Sequence, residues 1–172
     1  MTILGIDPGL ATTGWGIVKS QESKIRSCNF GIIKTSAEKK LGERLEKIYE
    51  RTNQLIVQYK PNLVAIEKIF FGKNVKTAIV VGQARGVVLL AGQASKIEIC
   101  EFTPLQIKLA VCGYGQAAKI QVQKMIKRLL NLKEIPKPDD AADALAVAYT
   151  AAVSIKHETQ SERSIKQVEN ES

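Results

Sequence analysis

The alternation of apolar and polar positions divides the chain into strands first and then helices alternating with strands. Residues 2–7 (TILGID) and 13–19 (TGWGIVK) flank a Pro8-Gly9 turn and read as the arms of a hairpin. Residues 25–34 supply a third strand. Leu41, Leu45, Ile48, Leu55, Ile56 and Tyr59 recur at helical spacing, which predicts an amphipathic helix over 38–59 that Pro61 ends. LVAIE at 63–67 is a short apolar run of the kind that forms a buried strand. A helix over 75–94 follows, with Ala78, Gly82 and Gly86 four apart as a small-residue stripe. IEICEF at 97–102 returns to the strand period, and Thr103-Pro104 is a helix start, threonine as cap and proline at the first helical position. Val122, Met125, Ile126, Leu129 and Leu130 mark a helix at about 117–132, and a last, alanine-rich helix starts near Pro138. From about 154 the residues turn polar and mixed in charge, so 154–172 is expected to be a frayed or disordered tail behind one domain of 1–153. The expected class is α/β, a mixed five-stranded sheet flanked by helices.

Composition narrows the chemistry. With 172 residues, 45% hydrophobic and 24% charged, the chain suits one globular domain. No apolar run approaches the ~20 residues of a membrane helix. The start MTILGIDPG lacks the basic and long apolar stretches of a signal peptide, so the cytoplasm is expected. Cys28, Cys100 and Cys112 are too few and scattered for a disulfide framework or a zinc site. The single histidine, His157, lies in the polar tail, which excludes histidine-based zinc sites and Ser-His triads. A metal here would be held by oxygen, which favours magnesium or manganese.

Charge changes the picture further. The formal net charge is +8. From Lys68 to Lys96 five basic residues (Lys68, Lys73, Lys76, Arg85, Lys96) occur without an acid. From Phe102 to Lys137 seven basic residues face only Glu134. Such clustering suits a polyanion, with nucleic acid as the leading partner, although a solubilising surface would look the same.

The acids stand out against this background. Asp7 ends an apolar strand before Pro-Gly, where a plain turn role explains it well. Glu67 ends the strand LVAIE, has no turn role, and would be costly to bury without a partner. Asp139, Asp140 and Asp143 open the last helix, where acids complement the helix dipole. Asp140 and Asp143, three apart, share one helix face, with Cβ atoms roughly 5–6 Å apart. The remainder of that helix, AADALAVAYTAA, is small enough to press against the sheet. Asp139 is therefore assigned to capping, and Asp140 with Asp143 to a site. Jointly, two strand-end acids and this pair would repel each other unless divalent cations lay between them. Two magnesium ions about 4 Å apart, activating water and stabilising a leaving oxygen, are the known use of such a cluster.

The same residues resemble RuvC, the bacterial Holliday junction endonuclease family with a ribonuclease H-like fold. Four blocks carry the likeness: Gly5-Ile6-Asp7-Pro8-Gly9; Ala65-Ile66-Glu67 with Ile69-Phe70-Phe71 and Lys73-Asn74; Gly82-Gln83-Ala84-Arg85-Gly86; and Asp140-Ala141-Ala142-Asp143-Ala144-Leu145-Ala146. A fifth runs from Thr103-Pro104-Leu105-Gln106-Ile107-Lys108 through Gly113-Tyr114-Gly115 to Lys119 and Gln121-Val122. Together they span about 1–153 in the family's order. The resemblance implies that Asp7, Glu67, Asp140 and Asp143 are catalytic ligands of two Mg2+ ions, which Mn2+ could replace. It also implies symmetric paired nicking of two opposing strands of a four-way junction by a homodimer, in recombination and repair, beside the RuvA and RuvB branch-migration motor. Phe70 matches an aromatic that stacks on unpaired bases, worth roughly 1–3 kcal/mol per base, although core packing would also explain one of Phe70 and Phe71. Lys108 and Lys119 match basic positions near the active centre, and Lys73, Lys76 and Arg85 are further expected DNA contacts. The helix 75–94 serves either a dimer interface or packing on the sheet.

Two departures are visible: Lys68 replaces a usually uncharged or acidic residue, and Ala118 stands where an acid often precedes the matching lysine. Neither is an expected metal ligand. Among rival readings, an actin-like kinase or ATPase shares the glycine-bearing hairpin but needs two such domains. A non-catalytic junction binder would not need the four acids. An enzyme of the same fold acting on RNA–DNA hybrids would share the chemistry but not the ordered blocks.

Overall fold

The computed structural model describes residues 1–21, 24–68 and 75–170, with the side chains of 75–77 and 156–170 outside the description. Strands β1 (Thr2–Asp7), β2 (Thr12–Gln21) and β3 (Lys24–Lys34) lead into helix α1 (Leu41–Tyr59) and strand β4 (Leu63–Glu67). Helix α2 (Val75–Ala94), strand β5 (Glu98–Phe102) and helices α3 (Pro104–Cys112), α4 (Lys119–Leu129) and α5 (Asp139–Asn170) follow. The sheet order is β3-β2-β1-β4-β5. The β1–β2 and β2–β3 pairs are antiparallel, whereas β4 runs parallel to both β1 and β5. The expected mixed five-stranded sheet is therefore present.

Strand alternation builds two cores, one on each face. Leu4 and Ile6 of β1 with Val64 and Ile66 of β4 pack against Ile48, Leu55 and Ile56 of α1 and Ala84, Val88 and Ala91 of α2. Ile3, Leu63 and Ala65 pack on the other face with Ile107, Val122, Ile126 and the buried stripe of α5 from Leu145 to Ala152. Each fully buried isoleucine or leucine contributes roughly 1.5–3 kcal/mol, so both faces stabilise the sheet. The same alternation, continued from Ile3 through Gly5 and from Ala65, carries Asp7 and Glu67 onto the α5 face.

The helix ends obey local chemistry. The Lys40 N–H donates to Glu43 Oε2 at 3.0 Å at the start of α1, and the left-handed Lys60 (φ 44°) stops that helix before Pro61. Thr103 Oγ1 accepts from the Gln106 N–H at 3.2 Å while Gln106 Oε1 accepts from the Thr103 N–H at 2.8 Å, a reciprocal cap at the expected Thr-Pro start. At α4 the cap is half made: the Ala118 N–H donates to Gln121 Oε1 at 2.7 Å, without a side-chain acceptor from Ala118 itself.

One element is longer than its sequence pattern indicates. Backbone helix α5 continues to Asn170, through the segment expected to be a frayed tail. Lys, Glu, Gln and Arg are good helix formers, and extending a helix already nucleated by packing costs little.

Candidate active site

The acids converge because glycines let α5 lie against the β1–β2 hairpin. Gly5 pairs with Gly16 and Asp7 with Gly14 across that hairpin. A Cβ on Gly5 would overlap the Ala144 carbonyl, one on Gly14 the Asp140 carbonyl, and one on Gly16 would lie 2.7 Å from Leu145 Cδ2. From the helix side Ala141, Ala144 and Ala148 are fully buried against this floor. The missing side chains thus bring the first turns of α5, with Asp140 and Asp143, over the end of β1.

The turn after Asp7 is clamped by a residue that sequence reasoning passed over. Thr13 is fully buried, and its hydroxyl donates to the Gly9 carbonyl at 2.7 Å. Thr35 Oγ1 donates to the Leu10 carbonyl at 2.6 Å, and the Arg44 Nε–H donates to Thr35 Oγ1 at 2.8 Å. A hydroxyl near the start of the strand after a Pro-Gly turn was the available signal.

The electrostatics show that the acids act on one another. Burial pushes the Asp7 carboxyl up from 3.8 to about 7, helped by the charges of Glu67, Asp143 and Asp140 and opposed by Lys119. Glu67 is raised by burial and then by Asp143, with Lys119 and Lys108 pulling it back. Asp143 is also raised by burial, although it accepts from Lys119 Nζ at 2.9 Å. Burial alone would lower the Lys119 ammonium, but the hydrogen bond and charge of Asp143, then those of Asp139, raise it. The two directions agree physically: the lysine offsets only part of the desolvation of a carboxylate that also faces Asp139 and Asp140.

An open cavity of about 190 Å³ lies over this cluster, with Glu67 and Asp143 beside Lys108 and Lys119 and apolar walls from Ile107, Val122 and Ala146. Asp139 is the first residue of α5 and pairs with Lys119 at 3.4 Å, so its place differs from the expected cap. Among the described residues, no three acids, cysteines or histidines yet surround one point closely enough to hold a metal ion. The donor set is nonetheless all oxygen, partly buried and mutually repelling, which is the chemistry a hard divalent cation relieves.

The other expected DNA contacts fare differently. Phe70 and Lys73 lie outside the described residues, as does the side chain of Lys76 at the start of α2. Arg85 is paired: its guanidinium donates to Glu101 of β5, on the sheet face opposite the acids. An arginine so engaged ties α2 to β5 and is not a free surface cation. Arg85→Ala would leave Glu101 half-buried and unpartnered, at a cost of about 1–3 kcal/mol. Chemical denaturation checks this; unchanged stability would return Arg85 to the surface cations.

The family model described as crossover junction endodeoxyribonuclease RuvC matches residues 3–151. The chain belongs to the RuvC family. RuvC of Alkaliphilus metalliredigens is 55% identical over 154 residues, covering 90% of this chain and 94% of that protein. RuvC of Halothermothrix orenii is 54% identical over 148 residues, covering 86% and 90%. Thermus thermophilus RuvC, solved in complex with Holliday junction substrate, superposes with a TM-score of 0.88 at 36% identity, covering 92% of this chain and 97% of that one. The fold is thus that of RuvC, ribonuclease H-like. The matched region contains Asp7, Glu67, Asp140 and Asp143 of this RuvC-family chain, with Lys108 and Lys119. Of its two departures, Lys68 is exposed beyond β4, and Ala118 leaves capping of α4 to Gln121.

Proposed function

We propose that this RuvC-family protein resolves Holliday junctions as a magnesium-dependent endodeoxyribonuclease, with Asp7, Glu67, Asp140 and Asp143 as its metal ligands. The observation that carries this reading is one cleft of a RuvC-family fold lined by the strand-end acid Glu67 and the helix acid Asp143, with Asp7 acted on by the charges of both and of Asp140. When bound, two Mg2+ ions, or Mn2+ in their place, would supply the Lewis acidity that phosphodiester hydrolysis needs. The chain's own groups do the rest. Asp7 and Glu67, held by the sheet, form a rigid floor; Asp140 and Asp143 reach it from α5. Lys108 and Lys119 at the rim hold the scissile-strand phosphates, and the apolar wall keeps bulk water from one side of the cleft.

Two opposing strands require two such clefts, so the working form is a homodimer. Helix α2 supports this: Ile79 and Leu90 are 56% and 59% exposed, and Gly86 faces open space, while Ala84, Val88 and Ala91 take the core side. Phe70, Lys73 and Lys76 would then contact the junction centre, beside the RuvA and RuvB motor. Residues 1–153 form the nuclease unit. Among the described residues no helix is long and apolar enough to cross a membrane, which is compatible with the proposed work in the cytoplasm.

The decisive experiment offers one preparation a four-way junction, a linear duplex and an RNA–DNA hybrid, each with Mg2+ and with chelator. Paired nicks in the junction, present only with Mg2+, are expected. Equal cutting of the linear duplex would overturn the substrate, and cutting in chelator would overturn the metal. Lys108→Ala is expected to slow junction nicking.

A further inference from the structure

We propose that Lys119 is a built-in counter-cation that competes with divalent metal for Asp143, and that Asp139 keeps the displaced ammonium at the rim of the cleft. The proposal rests on the metal-ligand reading of the acids given above.

Lys119 is the first residue of α4, where the Ala118 and Gln121 contact fixes the start of the helix. Its Nζ lies 2.9 Å from Asp143 Oδ2 and 3.4 Å from Asp139 Oδ2. Asp139 and Asp143 are four apart on α5 and so lie one above the other on a single face. They differ in depth: Asp143 is 24% exposed at its side chain and Asp139 62%. Asp143 acts electrostatically on both Asp7 and Glu67. The ammonium therefore bridges an inner acid, part of the cluster, and an outer, more exposed acid.

A divalent ion seated on Asp143 would lie roughly 2 Å from its oxygen. That position is within a few ångströms of Nζ, where two cations repel strongly in a partly buried cleft. The ammonium must then release Asp143, and Asp139, about one helical turn nearer solvent, is the partner it retains. Lys119 thereby stays over the cleft, free on its inner side to take a phosphate oxygen. Lys108 makes no ion pair of this kind among the described residues, and it acts on Glu67 through its charge.

The test is Mn2+ binding to the full-length protein without DNA, by titration calorimetry. The variants are Lys119→Met, Lys119→Arg, Lys108→Met and Asp7→Asn. Lys119→Met is expected to bind Mn2+ about tenfold tighter than wild type, on the scale of outer-shell effects on metal sites. Lys119→Arg should resemble wild type, and Lys108→Met should change little. Unchanged affinity in Lys119→Met, or an equal gain in Lys108→Met, would overturn the competition, the latter by reducing it to a general field. If wild type bound no Mn2+ sensitive to Asp7→Asn, the metal reading itself would fall and this proposal with it. Nitrogen-15 spectra of the Lys119 ammonium give a second readout. Its signal should shift on Mg2+ addition and persist in wild type, but broaden away in Asp139→Asn; a signal indifferent to Mg2+ would refute the exchange.

Discussion

Asp7→Asn is expected to bind a four-way junction, to lose nicking by about a thousandfold or more, and to be more stable than wild type in chelator at pH 8. The rate loss follows from removing one ligand of a Lewis-acid site worth several kcal/mol, at tenfold per 1.36 kcal/mol. The gain in stability follows from the carboxyl being pushed from 3.8 to about 7 in the folded protein. Below its ordinary value the acid is protonated in both folded and unfolded chains and costs nothing. As the pH rises, the unfolded chain ionises first, so stability is lost progressively until Asp7 ionises in the fold near pH 7. Above that the full penalty applies, at most about 4 kcal/mol at 1.36 kcal/mol per unit. Asparagine carries no such penalty. Urea unfolding of both proteins at pH 4.5 and pH 8 tests the sign: the advantage of the variant should be small at the lower value and large at the higher. Saturating Mg2+ should reverse the ranking, because wild type alone has the full ligand set. A variant less stable at pH 8, or one that still nicks, would contradict the placement of Asp7 at the centre of the site.

Much of this arrangement was legible because it follows short-range rules. TILGID and LVAIE each read as an apolar strand ending on an acid, and three-residue spacing puts Asp140 and Asp143 on one helix face, whereas the register that sets Asp7 beside Glu67 is a contact between distant segments. The Thr103-Pro104 start and the stop before Pro61 are likewise local. What stayed hidden depends on contacts between segments distant in sequence. Nothing near Arg85 announces Glu101, which comes to it through α2 packing beside β5. Nothing near Lys119 announces Asp139, whose charge looked sufficiently explained as a cap. The three glycines of the hairpin each look like a strand weakness in isolation; only the helix laid across them shows why a side chain is excluded. Helix α5 outran its apolar pattern for a related reason, since packing nucleates it and propensity carries it on.

Gly14→Ala is the variant in which this packing should be most visible in function. Gly14 stands opposite Asp7 in the hairpin, and its added methyl would occupy the place of the Asp140 carbonyl. Because the obstacle is backbone, no rotamer change relieves it; α5 must lift or β2 must sink. Overpacking of this sort costs about 1–3 kcal/mol, which the two cores should tolerate. Catalysis tolerates less, since a displacement of about 1 Å can cost a hundredfold in rate. The expected result is a folded protein with a lower melting temperature, junction binding retained, and nicking reduced by about a hundredfold or more. Gly42→Ala is the control: a Cβ there meets nothing within 4 Å, at the start of α1, so stability should hold or rise and nicking should be unchanged. If Gly14→Ala nicked and melted like wild type, α5 would not rest on the hairpin as described, and Asp140 and Asp143 would need another way to reach Asp7. A variant that unfolded outright would place the cost in the core, and Gly16→Ala, whose added methyl meets the Leu145 side chain before any backbone, would then separate packing from positioning.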